Sequence, residues 1–125
     1  MDLSQYNLIW SDEFSGAAGS RPASHWFFFN GWGSGQWRDA QYTTQDAYLN
    51  GNGSLTLRAR LEGATLKTSY LQTYDWSAPE SQWTTFGPGA GKYVEARINL
   101  SQMEAGGLWP AFWLFDPSDT YDGHP

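Results

Sequence analysis

Two kinds of side chain in this sequence could act on a ligand: carboxylates and large flat aromatics. Among the thirteen carboxylates, three sets stand out by spacing or setting. Asp12 and Glu13 are adjacent, so on an extended chain they would point to opposite faces. Glu95 shares a strand face with Arg97, which reads first as a structural ion pair. Asp116, Asp119 and Asp122 stand three apart, the spacing of a solvated turn, with a calcium loop as the second reading. None of these groups sets two carboxyls side by side on one strand, so no catalytic residue is assigned within the chain. The two histidines show no clustered spacing and cysteine is absent, which excludes disulfides and thiolate metal sites and argues against zinc.

The aromatics are more informative. Gly106-Gly107-Leu108-Trp109-Pro110-Ala111-Phe112-Trp113-Leu114-Phe115 is the densest aromatic run in the chain. Read as a strand, it puts Trp109, Ala111, Trp113 and Phe115 on one face and Phe112 and Leu114 on the other. Both faces are apolar, so one should be packed core, while the other needs a second sheet, a partner or a ligand with flat apolar faces. Trp109 and Trp113 would stand roughly 13 Å apart along the strand, a separation at which two indoles can stack on an extended sugar chain. Ordinary core packing is the competing reading, and pattern alone favours it.

Composition narrows the partners. The chain has 125 residues, with eight Trp, seven Tyr, seven Phe and fourteen Gly. That is a normal single-domain length with enough apolar content for a core. Seven basic residues against thirteen acidic ones give a net charge of −6. Nucleic acid and anionic membrane surfaces both demand cationic patches, so neither is an expected partner. No apolar run approaches a membrane span, and the N-terminal residues lack the basic start and apolar stretch of a leader.

The elements that would carry these groups are short strands. Tyr6 to Trp10 reads as a first strand, and residues 16–24 as a loop. Asn30-Gly31-Trp32-Gly33-Ser34-Gly35 is a glycine-rich loop displaying a Trp, without the strand-to-helix setting of a phosphate-binding loop. Gln41 to Leu49 reads as extended, and Asn50-Gly51-Asn52-Gly53 is the strongest turn signal in the chain. Leu55, Leu57, Ala59 and Leu61 then alternate with Thr56, Arg58 and Arg60, as in a half-buried antiparallel strand. Leu66 to Tyr74 suggests a further strand, residues 75–91 are polar and turn-rich, and Tyr93 to Leu100 alternates again. Ser101 to Ala105 has room for one helical turn at most. No long 3.6-residue periodicity, repeat or domain linker appears, so the expected class is all-β, a sandwich or barrel.

Taken in order, Trp10-Ser11-Asp12-Glu13-Phe14, Gly31-Trp32-Gly33, Gln41-Tyr42-Thr43, Asn50-Gly51-Asn52-Gly53-Ser54-Leu55, Tyr93-Val94-Glu95-Ala96-Arg97-Ile98 and Gly107-Leu108-Trp109-Pro110-Ala111-Phe112-Trp113 resemble glycoside hydrolase family 16, specifically its laminarinase-like endo-β-1,3-glucanases. The resemblance spans essentially the whole chain, and its last segment is the most specific. It implies an antiparallel jelly-roll sandwich with a substrate cleft across the concave sheet, in a secreted enzyme.

Under that resemblance, Trp109, Trp113 and Phe115 become cleft wall rather than core, Asn30 a cleft residue on the sugar-donor side, and Trp32 a residue of the same rim. A structural calcium is also implied, held by the Gly53 carbonyl and a carboxylate near Glu13; Gly53 as a plain turn glycine is the equal alternative. The family's retaining chemistry needs two carboxyls about 5–5.5 Å apart on one strand, in a Glu-x-Asp-x-x-Glu or Glu-x-Asp-x-Glu pattern. That pattern is missing here, and in the family it follows the loop after the Trp-Pro-Ala-Phe-Trp strand. The chain therefore resembles the N-terminal part of one such domain, residues 1–125. The expected partner is the complementary C-terminal polypeptide, without which the sheets would be incomplete.

Two departures bear on specificity. Gly35-Gln36-Trp37-Arg38-Asp39-Ala40 replaces the Asn-Asn-Glu-Leu-Gln of many relatives, and Tyr70-Leu71 stands after Thr68-Ser69 where relatives often have Ala-Arg. The loss of that sugar-facing arginine leaves another β-glucan, a marine galactan, or a non-catalytic carbohydrate-binding protein as alternatives to laminarin hydrolysis.

Overall fold

A computed structural model of the chain describes residues 3–33, 40–75, 77–86, 92–101 and 109–114. The chain divides into two compact units, Met1–Tyr93 and Val94–Pro125. Regular structure among the described residues is β throughout, apart from one 3₁₀ turn at Glu80–Gln82. The all-β expectation holds.

Eight short strands lie in the first unit: β1 Phe27–Phe28, β2 Gly31–Trp32, β3 Ala40–Tyr42, β4 Ala47–Leu49, β5 Leu55–Leu57, β6 Arg60–Glu62, β7 Thr65–Thr68 and β8 Leu71–Gln72. They form a four-stranded sheet in the order β2-β3-β7-β6 and two pairs, β1-β8 and β4-β5. All pairs are antiparallel except β3 with β7, which run parallel with Ala40 opposite Leu66 and Tyr42 opposite Thr68. The expectation of a purely antiparallel sheet is corrected there. A parallel pair cannot be closed by a tight turn, and the connection from β3 to β7 runs through β4, β5 and β6.

The turn Asn50–Gly53 does what its composition predicts. Gly51 and Gly53 take φ values of 85° and 73°, left-handed conformations that glycine adopts without a Cβ clash. The Asn50 side-chain oxygen accepts the amides of Asn52 and Ser54 at 2.7 and 3.2 Å, and the Asn50 amide donates to the Ser54 carbonyl at 2.9 Å. The β4-β5 register follows, with Leu49 opposite Leu55 and Ala47 opposite Leu57.

Loop residues complete the other edge of β4. Gly19 N donates to the Leu49 carbonyl and Leu49 N to the Ser20 carbonyl, both at 2.8 Å. Leu49 is thus paired on both sides, and with Ala47 it is the buried hydrophobic core among the described residues.

The apolar alternation from Leu55 to Leu61 is one pattern in sequence and two strands in space. β5 pairs with β4, while β6 pairs with β7, so the chain changes partner at Arg58-Ala59. Arg58 N still donates to the Asp46 carbonyl at 2.7 Å, which extends the first ladder by one pair, and the Arg58 and Arg60 guanidiniums both reach the Asp46 carboxylate across the break. Leu57 and Leu61 are exposed, not half-buried as the alternation suggests, because nothing among the described residues lies over them. Gln41–Leu49 and Leu66–Tyr74 are divided in the same way, the first by the turn at Thr43–Asp46 and the second at Ser69-Tyr70.

Three expected strands are not formed among the described residues: Tyr6–Trp10, Tyr93–Leu100 and residues 109–114 of the aromatic run. Strand propensity is expressed only when a neighbour supplies the ladder and a face to pack on.

Candidate functional site

Asn30 and Trp32 flank Gly31, whose φ of 141° suits glycine and lets the chain turn from β1 into β2. Phe29 N donates to the Tyr70 carbonyl at 3.0 Å and Gly33 N to the Ala40 carbonyl at 3.0 Å, so both sides of this corner are fixed. Asn30 is exposed, and Trp32, opposite Gln41 in the ladder, is 56% exposed. The corner presents an amide and an indole to solvent on a hydrogen-bonded base.

In the second unit, Trp109 is 79% exposed and Trp113 58% exposed. Phe112 and Leu114 are exposed as well. Neither side of the run is packed core among the described residues, contrary to the expectation that one face would be. Phe115 lies outside the described residues, as do Asp116, Asp119 and Asp122.

Glu13 and Gly53 are brought together. The Glu13 carbonyl oxygen lies 3.5 Å from the place a Cβ on Gly53 would occupy. Asp12 Oδ1 accepts the Phe14 amide at 2.7 Å, closing a turn around Glu13, and Phe14 takes the left-handed φ of 49°. For a phenylalanine that conformation costs about 1–2 kcal/mol, offset here by the turn bond and by ring contact with Trp26 at 5.8 Å. The contact between Glu13 and Gly53 brings together the two segments to which the resemblance assigns a hard cation such as calcium. Among the described residues, however, no group of three or more His, Cys, Asp or Glu could hold a metal, so these two positions fit only as part of a donor set.

The described carboxylates with defined partners are engaged structurally. Asp12 Oδ2 accepts Trp26 Nε1 at 2.7 Å and lies 3.1 Å from His25 Nε2, among the rings of Trp10, Phe14, Trp26 and Phe86. Asp46 has 0% exposure and accepts the Thr43 hydroxyl at 2.5 Å, Arg58 Nε at 2.8 Å and Arg60 Nε at 2.9 Å. Burial alone would raise its pKa; the Thr43, Arg58 and Arg60 bonds outweigh burial and hold the carboxyl below its usual range. Glu62 pairs with Arg60 and Lys67 at 3.5 Å, Lys67 also bonds Gln41, and Asp75 caps Ser77.

Sequence reasoning missed an aromatic tier. Phe29, Tyr42 and Tyr70 meet pairwise, with centroids 5.5, 5.8 and 6.1 Å apart, and Tyr74 meets Trp83 at 5.4 Å. The Tyr70 and Tyr74 phenols are hydrogen-bonded to each other. Its members come from four separate stretches, so no local periodicity could have revealed it. Comparison with protein-family models and with characterised proteins finds no match for this chain.

Proposed function

We propose that this chain supplies the sugar-holding wall of a retaining endo-β-1,3-glucan hydrolase of the family 16 type, folded as part of a jelly-roll sandwich. It would be secreted and would act with the polypeptide that carries the Glu pair. The observation that carries this reading is the exposure of Trp109 and Trp113. Large apolar rings left facing solvent in a chain so rich in them mark a binding surface more readily than a core. Within the first unit, Asn30 and Trp32 separately offer a polar group and an exposed indole, and the order of the motifs supports the family. Exposed Leu57 and Leu61 are the surface that the complementary polypeptide would cover. A structural calcium would take the Gly53 carbonyl and a carboxylate near Glu13 and add rigidity to the turn.

A second reading, a carbohydrate-binding protein without catalysis, rests on the same exposed indoles and needs no Glu pair; it fits a chain in which Asp12, Asp46, Glu62 and Asp75 are engaged by structural partners. One experiment separates the two. The purified protein is incubated with laminarin, and both binding and release of reducing ends are measured, with intact mass identifying any companion chain. Binding with release supports the hydrolase; binding without release supports the second reading. No binding of laminarin, of other β-glucans or of galactans removes both.

A further inference from the structure

The residues after β8 form a braced loop. Thr84 N donates to the Thr73 carbonyl at 2.9 Å, and Gln82 N to the Pro79 carbonyl at 2.9 Å. Asp75 Oδ1 accepts both the amide and the hydroxyl of Ser77, at 2.9 and 2.6 Å. Trp83 Nε1 donates to the Asp75 carbonyl at 2.6 Å, which fixes the indole plane against Tyr74. A loop that sequence marks only as polar and turn-rich thus holds one large aromatic in a set orientation, half-exposed. Preorganised flat rings recognise ligands at low entropic cost.

Trp83 does not stand alone. Tyr74 links it through the Tyr70 phenol to the Phe29–Tyr42–Tyr70 rings, and Phe29 immediately precedes Asn30. All five aromatics are half-buried, none fully enclosed. Ser69 Oγ and Gln72 Oε1, on either side of Tyr70-Leu71, are buried without a hydrogen-bond partner. Each is a polar atom that a sugar hydroxyl could satisfy.

We propose that Trp83 and Tyr74, continuous with the Phe29–Tyr42–Tyr70 tier, form a stacking subsite for an uncharged pyranose ring, making Trp83 a specificity-determining residue. This rests on the carbohydrate reading above and deepens it. The subsite selects for neutral sugar. Among the described residues, the guanidiniums that stack on rings do so elsewhere, and a sulfated or carboxylated sugar needs a cation at its site. Arg21 and Arg58 instead lie over Phe28 and Tyr48, rings outside this tier.

The test measures the affinity of the protein for a six-unit β-1,3-linked gluco-oligosaccharide and for a sulfated galactan oligosaccharide, each by calorimetry. Trp83→Ala should weaken glucan binding about tenfold, the effect of one lost stacking contact. Trp83→Leu keeps apolar bulk against Tyr74 without a flat face and should lose a similar factor with its melting transition intact. The sulfated ligand should bind more weakly than the glucan in the wild type. Unchanged glucan affinity in a folded Trp83→Leu protein, or preference for the sulfated ligand, overturns the subsite. If Trp113→Ala nevertheless loses binding, the broader reading stands without it. A wild-type protein that binds neither ligand overturns both.

Discussion

Asp46 is the residue on which the first unit most depends. Its carboxylate is shared by two guanidiniums and a hydroxyl, and its carbonyl accepts the last amide bond of the β4-β5 ladder, from Arg58. Asp46→Asn removes the charge while keeping the shape, and should lower stability by about 2 kcal/mol, measured as a urea midpoint at neutral pH. The sign of its pH dependence is fixed. Its folded pKa is depressed, so protons bind the unfolded form more readily. The stabilisation is present above the unfolded value of about 3.9 and is lost as pH falls through the folded value. Wild type should therefore lose stability below about pH 4 more steeply than Asp46→Asn does.

The tyrosines behave oppositely. With their folded pKa values raised, Tyr42, Tyr70 and Tyr74 contribute stability that is complete below about pH 10 and is lost as pH rises toward the folded values, about 12 for Tyr74. Phenolate absorbance of the native protein should lag behind that of the urea-unfolded chain across this range. Gln72 offers a third test. Its buried amide oxygen has no partner, so Gln72→Met should raise stability by about 1 kcal/mol. A fall in the melting temperature would mean that the amide is satisfied in solution.

At the scale of elements, hairpin β4-β5 and its turn show sequence and structure in agreement. Gly51 is essential for two reasons. Its φ of 85° disfavours a side chain, and a Cβ there would stand 3.0 Å from the Ala18 Cβ and 3.2 Å from the Ala18 amide nitrogen. Gly51→Ala should cost about 1–3 kcal/mol and lower the thermal midpoint accordingly. The turn was legible because Asn50 and the glycines act within five residues. The break at Arg58-Ala59 was not legible, because alternation continues through it and the two partners, β4 before the break and β7 after it, lie elsewhere in the sequence. The strands expected at Tyr6–Trp10 and Tyr93–Leu100 fail similarly: alternation records a capacity to pair, and pairing needs a neighbour.

For the whole molecule, the governing observation is how much apolar surface stays uncovered. Leu8, Ile9 and Leu61 in the first unit, and Trp109, Trp113 and Leu114 in the second, are each more than half exposed. The proposed function divides this surface between a sugar chain, on the indoles, and a complementary polypeptide, on the aliphatics. Trp113→Ala should weaken oligosaccharide affinity by about 2 kcal/mol, roughly thirtyfold, with little change in melting temperature because the ring is not core. A large loss of stability in that variant would return Trp113 to a packing role. The purified chain alone should unfold with a midpoint that depends on concentration or on an added partner. A cooperative, concentration-independent melt of the monomer would show that no companion is required.

By itself the sequence determined the all-β class, the Asn-Gly turn and the wealth of aromatics. These depend on backbone sterics, composition and contacts between near neighbours. Tertiary structure alone decided where one alternating run becomes two strands, and which carboxylates are already occupied. It also decided that β3 and β7 run parallel, and that Phe29, Tyr42, Tyr70, Tyr74 and Trp83 gather into one tier. Each of those outcomes turns on contacts between residues far apart in the chain, and no local pattern of side chains encodes which distant neighbour will be met.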